Sequence, residues 1–145
     1  MEDTYNIYRN GVKVKSGLTE KTYTDSGLTP ATLYRYQISA QNEAGESPKT
    51  PELEVTTLPV AVTGVTADPT SGSVKVGATL QVNASVSPAD ATDKTVTYAS
   101  SDEAIATVDG NGLATGVKTG TTTITVTSHA DNTKKVTFAL TVTAA

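Results

Sequence analysis

The only histidine of the chain, His129, lies in the polar run Ser128-His129-Ala130-Asp131-Asn132, where an imidazole invites acid-base chemistry. A general base needs a carboxylate to orient it and a nucleophile or substrate proton within hydrogen-bond reach. A polar run between two strand patterns supplies neither by its spacing, so His129 is expected to be a solvated hairpin residue without a role. Asp90, Asp93, Asp102, Glu103, Asp109 and Asp131 also fall in inferred turns. Oxygen donors of this kind can hold calcium. The dense D-x-D-x-D-G spacing of a calcium loop is missing, however, and aspartate favours turns because its carboxylate bonds nearby backbone N–H groups. Glycoside hydrolysis would need two such carboxylates facing each other across a cleft, and nothing in the spacing suggests one. With no cysteine in the chain, thiolate zinc sites, disulfides and a cysteine nucleophile are excluded together. The expectation is no enzyme, no catalytic residue, no metal and no cofactor.

Charge narrows the partners. Eleven Lys and Arg against fifteen Asp and Glu give a net charge of −4, without a basic cluster. That removes the electrostatic footing for nucleic acid. Lys13, Lys15 and Lys21 flank the first hairpin pattern, where lysine protects an edge strand from stray pairing. Tyr8 is expected to point outward if Tyr5 and Ile7 point inward, and an exposed ring can stack on a sugar or anchor an interface. The opening Met1-Glu2-Asp3-Thr4 has neither a basic n-region nor an apolar h-region, so no export signal is expected. No apolar run approaches the roughly 20 residues of a membrane helix, so no membrane insertion is expected either.

The elements that must carry these residues are strands. Val136, Phe138, Leu140 and Val142 alternate with Thr137, Ala139, Thr141 and Thr143, the period of a strand with one dry face. Leu80, Val82, Ala84 and Val86 repeat the pattern, as do Val96 with Tyr98 and Ile124 with Val126, and together they predict one sandwich core. Asn10-Gly11 separates Tyr5-Asn6-Ile7-Tyr8 from Val12-Lys13-Val14 and predicts a type I′ hairpin, because both residues tolerate positive φ. Asp109-Gly110-Asn111-Gly112 predicts a second reversal. A strand pattern ends near Thr57-Leu58-Pro59 and a new one starts with Val62 and Val65, which places a domain boundary between residues 1–58 and 59–145.

Residues 4–58 resemble the C-terminal part of a fibronectin type III domain. The run from Gly27-Leu28-Thr29-Pro30 through Leu33-Tyr34-Arg35-Tyr36-Gln37-Ile38-Ser39-Ala40 to Glu46-Ser47 is similar to that family's E-to-F corner and strand F, with Leu28 and Tyr34 at its tyrosine corner. The resemblance implies strands C and C′ over Tyr5 to Val14, strand E over Thr22 to Thr24 and strand G over Leu53 to Thr57. It also implies that strands A and B and the core tryptophan are absent. The sheet face carrying Tyr5, Ile7, Tyr34, Tyr36, Ile38, Ala40, Leu53 and Val55 would then be covered only by strand E. Leaving a few hundred Å² of apolar surface wet forgoes several kcal/mol at about 25 cal/mol per Å². Either a longer protein has been cut here, or the second module, a second copy or a partner's strand supplies the cover. Tyr5, Ile7, Tyr36, Ile38, Leu53 and Val55 are the expected interface.

Residues 60–143 resemble the bacterial immunoglobulin-like domain, group 2. The carrying residues are Val62-Thr63-Gly64-Val65, Val76-Gly77, Leu80 to Val86, Tyr98-Ala99-Ser100-Ser101-Asp102, Ala106-Thr107-Val108-Asp109, Gly112-Leu113-Ala114-Thr115-Gly116 and Gly120 to Val126. Tyr98 stands where that family usually has tryptophan. The expected fold class is all-β, two tandem immunoglobulin-like β-sandwich modules, the first lacking its A and B strands. The resemblances imply bacterial surface adhesins, secreted polysaccharide-active enzymes and phage capsid or tail proteins as settings. The expectation is a virion surface protein that docks on capsid or tail proteins or on sister copies through the first module. The second module would project, with weak binding to cell-surface glycans. A fragment of a secreted or surface bacterial protein is the alternative.

Overall fold

A computed structural model describes residues 3–145; Met1 and Glu2, part of the opening read above as lacking an export signal, lie outside the described residues. The chain divides after Pro59 into two compact units. Every regular element among the described residues is a strand. No helix is long and apolar enough to cross a membrane.

The first unit contains β1 (Thr4–Arg9), β2 (Val12–Leu18), β3 (Leu33–Asn42), β4 (Gly45–Glu46) and β5 (Leu53–Thr56). Asn10 and Gly11 adopt φ of 50° and 81°, so the β1–β2 connection is the tight turn their types dictate. The sheet runs β2-β1-β3, and both β4 and β5 pair with β3. This is the C′-C-F-G order that the fibronectin type III resemblance implies. Strand E is not formed. Residues 19–32 contain turns and extended backbone but no strand, so the expectation for Thr22 to Thr24 is corrected. A strand there would need neighbours in an opposing sheet to satisfy its amides, and the described residues of this unit build one sheet only.

The second unit contains β6 (Gly64–Ala67), β7 (Ser71–Lys75), β8 (Thr79–Gln81), β9 (Ala84–Ser87), β10 (Val96–Ser100), β11 (Ala106–Val108), β12 (Leu113–Gly116), β13 (Gly120–Ser128) and β14 (Lys135–Thr143). One sheet is ordered β10-β13-β14-β7, with β7 parallel to β14. The strands β11-β12-β8 and the pair β6-β9 supply the other layer. Val82, Ala106, Ala114, Ile124, Val126, Phe138, Leu140 and Val142 form the dry centre between the layers. Leu80, Ala84, Val86, Val96, Tyr98 and Val136 pack around it. The alternation of β13 and β14 puts Ile124, Val126, Phe138, Leu140 and Val142 on the inner face, with Thr122 and Ser128 at its ends, and the other threonines on the outer one, as their period requires.

The run Leu80 to Val86 is two strands rather than one. The chain breaks at Val82-Asn83 and changes partner, from β12 at Leu80 to β6 at Ala84. Val82 keeps its inward direction through the break because its amide donates to the carbonyl oxygen of Gly112 (2.8 Å).

Candidate functional site: an open sheet face on the first unit

Paired residues in an antiparallel ladder share a face. The pairs Ile7 with Ile38, Tyr36 with Leu53 and Tyr34 with Val55 therefore place the apolar residues of β1, β3 and β5 together. Ile7 lies at the bottom of this face and is only 7% exposed, whereas Ile38, Val55 and Leu53 are 42%, 43% and 63% exposed. Tyr5 and Tyr36 are half-buried. Of the six expected interface residues, the structure thus brings all to one face and leaves three of them open to solvent.

The segment 19–32 covers part of this face and is held there by polar anchors. Arg9 donates to both carboxylate oxygens of Asp25 (3.0 and 2.9 Å), and the Tyr36 hydroxyl donates to the same group (2.7 Å). Burial pushes the Asp25 carboxyl upward, but the bonds from Tyr36 and Arg9 outweigh it and hold the group below the usual carboxylate range. Further on, the Thr29 amide donates to the Tyr34 hydroxyl (2.9 Å), which gives the phenol the backbone partner expected of a tyrosine corner. Between this segment and the sheet lies a cleft of about 510 Å³, floored by Tyr5, Ile7, Tyr36 and Ile38 and walled by Leu18 and residues 20–23. Its volume suits a small ligand or an inserted side chain.

Around Tyr8 the opposite face of the same sheet is covered, which corrects the expectation for Tyr8. The residue does point away from Ile7, but it is only 7% exposed. The ammonium groups of Lys49 and Lys13 lie 3.9 and 5.4 Å from its ring centre, and its hydroxyl donates to Glu46. Ser39, Asn6 and Lys13 donate to the same carboxylate. Tyr8 is therefore spent on pinning β4 and offers no aromatic platform. The donors, Ser39 foremost, followed by Tyr8 and Asn6, hold the Glu46 carboxyl down to about 2 from 4.5. A folded-state value below the unfolded one contributes stability that is complete above the unfolded value and lost as pH falls through the folded one. The first unit should consequently lose stability between about pH 4.5 and 2. In the E46Q variant, amide shifts of Asn6, Ser39 and Glu46 neighbours followed by NMR should show no transition in that window; an unchanged acid transition would refute this assignment.

Residues 61–139 match the family model of the bacterial Ig-like domain (group 2). The chain belongs to that family. A 3-O-alpha-D-galactosyl-alpha-L-arabinofuranosidase of Bifidobacterium longum subsp. longum is 50% identical over 88 residues, 61% of this chain and 8% of the enzyme. An Ig-like virion protein of Serratia phage KSP90 is 48% identical over 75 residues, 51% of this chain and 29% of that protein. The chain thus spans less than a third of either relative. Domains 1–6 of the surface layer protein SbsC superpose with a TM-score of 0.53 at 20% identity, over 97% of this chain and 20% of that structure, a likeness of fold alone.

Within this bacterial Ig-like module four of the six acidic turn residues are engaged locally. Asp93 accepts from the Thr95 amide, Asp102 from Ala104, Asp109 from Asn111 and Leu113, and Asp131 from Thr133, each at 2.9 to 3.0 Å. They close turns, as the chemistry of aspartate predicts. Among the described residues no three of His, Asp and Glu cluster as metal ligands would. His129 does find a carboxylate: its Nδ1 lies 2.9 Å from Asp93. The hydroxyl of Thr95 also donates to Asp93, and with His129 it holds that carboxyl down to about 2. Spacing in sequence could not show this pair, because 36 residues separate its members.

Proposed function

We propose that this chain is a non-catalytic structural and adhesive protein of a phage particle, a capsid decoration, head-fibre or tail-surface protein. It docks on the particle or on sister copies through the open face of the first unit. The second unit is displayed to the surroundings, with weak affinity for cell-surface glycans. The observation that carries this reading is the asymmetry between the units. The second closes its own core, whereas the first leaves Ile38, Leu53 and Val55 exposed on one face, and apolar faces of this kind mark interaction sites. The likeness to a phage virion protein supports the setting. The test is mass spectrometry of purified particles produced from the genome that encodes the chain. Peptides from both units at stoichiometric abundance are the expected result; particles without them would end the virion reading.

The identity of 50% to a module of an arabinofuranosidase favours a second reading, a spacer or adhesion module of a secreted polysaccharide-active enzyme or surface protein. The flanking genes separate the two. Capsid or tail genes alongside support the first, and an in-frame upstream leader with a hydrolase domain supports the second.

A further inference from the structure

We infer that Asn10 is a modification site. The Asn10-Gly11 turn converts itself, by loss of ammonia through a cyclic imide, into aspartyl and isoaspartyl forms, while the Asn111-Gly112 turn of the same composition stays intact.

Glycine after asparagine is the least hindered setting for attack of a backbone nitrogen on the preceding side-chain amide, because no Cβ blocks the approach. The chain has two such pairs, Asn10-Gly11 and Asn111-Gly112. Closing the five-membered imide requires the glycine nitrogen to eclipse the asparagine Cβ. That places the asparagine ψ at about −120°, the value of the first central residue of a type II′ turn. Asn10 and Gly11, at φ of 50° and 81°, form a type I′ turn instead. The two turn types differ by a flip of the peptide between the central residues. The φ of Asn10 stays near its observed value, and that of Gly11 passes from 81° to about −80°, which glycine tolerates. No strand has to move. The flipped turn is the minor state and the reactive one.

The rate depends on whether that peptide is free to turn. Among the described residues neither the Asn10 carbonyl nor the Gly11 amide has a hydrogen-bond partner, and both residues are exposed. A Cβ built on Gly11 would meet nothing within 4 Å beyond its chain neighbours. The corresponding peptide of the second unit is tied at both ends. The Asn111 carbonyl oxygen accepts from the Gln81 side chain (2.8 Å), and the Gly112 amide donates to the Asp109 carbonyl oxygen (3.1 Å). Gly112 is also buried against Tyr98 and Val82.

The Asn10 side chain is held for the reaction as well. Its Oδ1 accepts from the Arg35 amide (2.9 Å), a donor aimed at the oxygen on which negative charge gathers as the nitrogen adds. The Gly11 amide loses its proton to a solvent base, its nitrogen bonds to the Asn10 Cγ, and the Cγ–Nδ2 bond breaks, releasing ammonia with a proton taken from water. Water then opens the imide. Attack at the side-chain carbonyl gives aspartate, and attack at the main-chain carbonyl gives isoaspartate. Both products add a negative charge. Isoaspartate also lengthens the backbone of a two-residue loop by a methylene and displaces the acceptor of the Arg35 amide.

The test incubates the whole folded chain in mildly alkaline buffer, samples it over time, digests it at acid pH and maps the peptides by mass spectrometry. The peptide with Asn10 should gain the mass of an acid in place of an amide at least about tenfold faster than the peptide with Asn111, since flipping the latter breaks two hydrogen bonds. In concentrated urea the two rates should converge, because the protection of Asn111 is tertiary. Of the two products, the isoaspartyl chain should exchange its Arg35 amide hydrogen faster than the aspartyl chain. An Asn10 that survives in the folded chain long after it has reacted in urea overturns the proposal, as does an Asn111 that reacts equally fast in the folded chain. A difference that persists undiminished in urea overturns it too, by assigning the selectivity to sequence neighbours rather than to the free and tied peptides.

Discussion

Replacing Gly112 with alanine is expected to destabilise the second unit by about 3–4 kcal/mol, combining a left-handed backbone with an overpacked site. The residue has φ of +82°, and a Cβ built on it would lie 2.7 Å from both the Tyr98 ring and the carbonyl oxygen of Val82. The backbone cannot retreat, because the Gly112 carbonyl accepts the Val82 amide and the Gly112 amide donates to Asp109. The loss should appear as a shift of the denaturant midpoint followed by far-ultraviolet circular dichroism. G112N sharpens the test. Asparagine tolerates positive φ, so if backbone strain were the whole effect it would rescue; because the contact with Val82 involves the Cβ itself, it should fail nearly as badly. A loss below about 1 kcal/mol for G112A would show that the backbone at Val82 and the Tyr98 ring yield, contrary to this account.

Gly112 illustrates what a sequence can and cannot disclose. A turn at Asp109-Gly110-Asn111-Gly112 follows from residue types alone, since local φ requirements and aspartate's reach to nearby amides are local physics. The same holds for Asn10-Gly11 and for the inner faces of β13 and β14, where the alternation of Ile124, Val126, Phe138, Leu140 and Val142 fixes which side is dry. That the glycine also makes room for Tyr98 is not local. Nor is the grip of Arg9 and Tyr36 on Asp25, or of Ser39, Tyr8 and Asn6 on Glu46, whose partners lie 7 to 40 residues away. The expectation that Tyr8 is free fails for this reason: alternation gives its direction, but the cations over its ring arrive through tertiary structure. Thr22 to Thr24 fail differently. A family pattern marks them as a strand, yet a strand exists only where a neighbour accepts its hydrogen bonds, and here Asp25 supplies a substitute anchor.

Truncating Phe138 to alanine should cost the second unit about 3–5 kcal/mol, the range for a buried aromatic ring. Phe138 is the only phenylalanine of the chain and is 1% exposed. It is paired with Ile124, and its ring packs so closely on β7 that a side chain at Gly72 would meet it at 2.9 Å. A glycine cannot grow to fill the space, so the cavity persists and the cost sits at the upper end of the range. The matching change on the first unit, L53A, removes an apolar side chain of comparable chemistry from a residue 63% exposed. In dilute solution it should change stability by less than about 0.5 kcal/mol. If two copies close over that face, the folded state gains stability from association and the same L53A should become costly as concentration rises. Phe138→Ala would show no such dependence on concentration, because its surroundings are complete within one chain. Unfolding midpoints measured for both variants at low and high concentration therefore separate a core that is dry by itself from a face that becomes dry only in company; equal, concentration-independent losses for the two would place Leu53 in a closed core and contradict the open sheet.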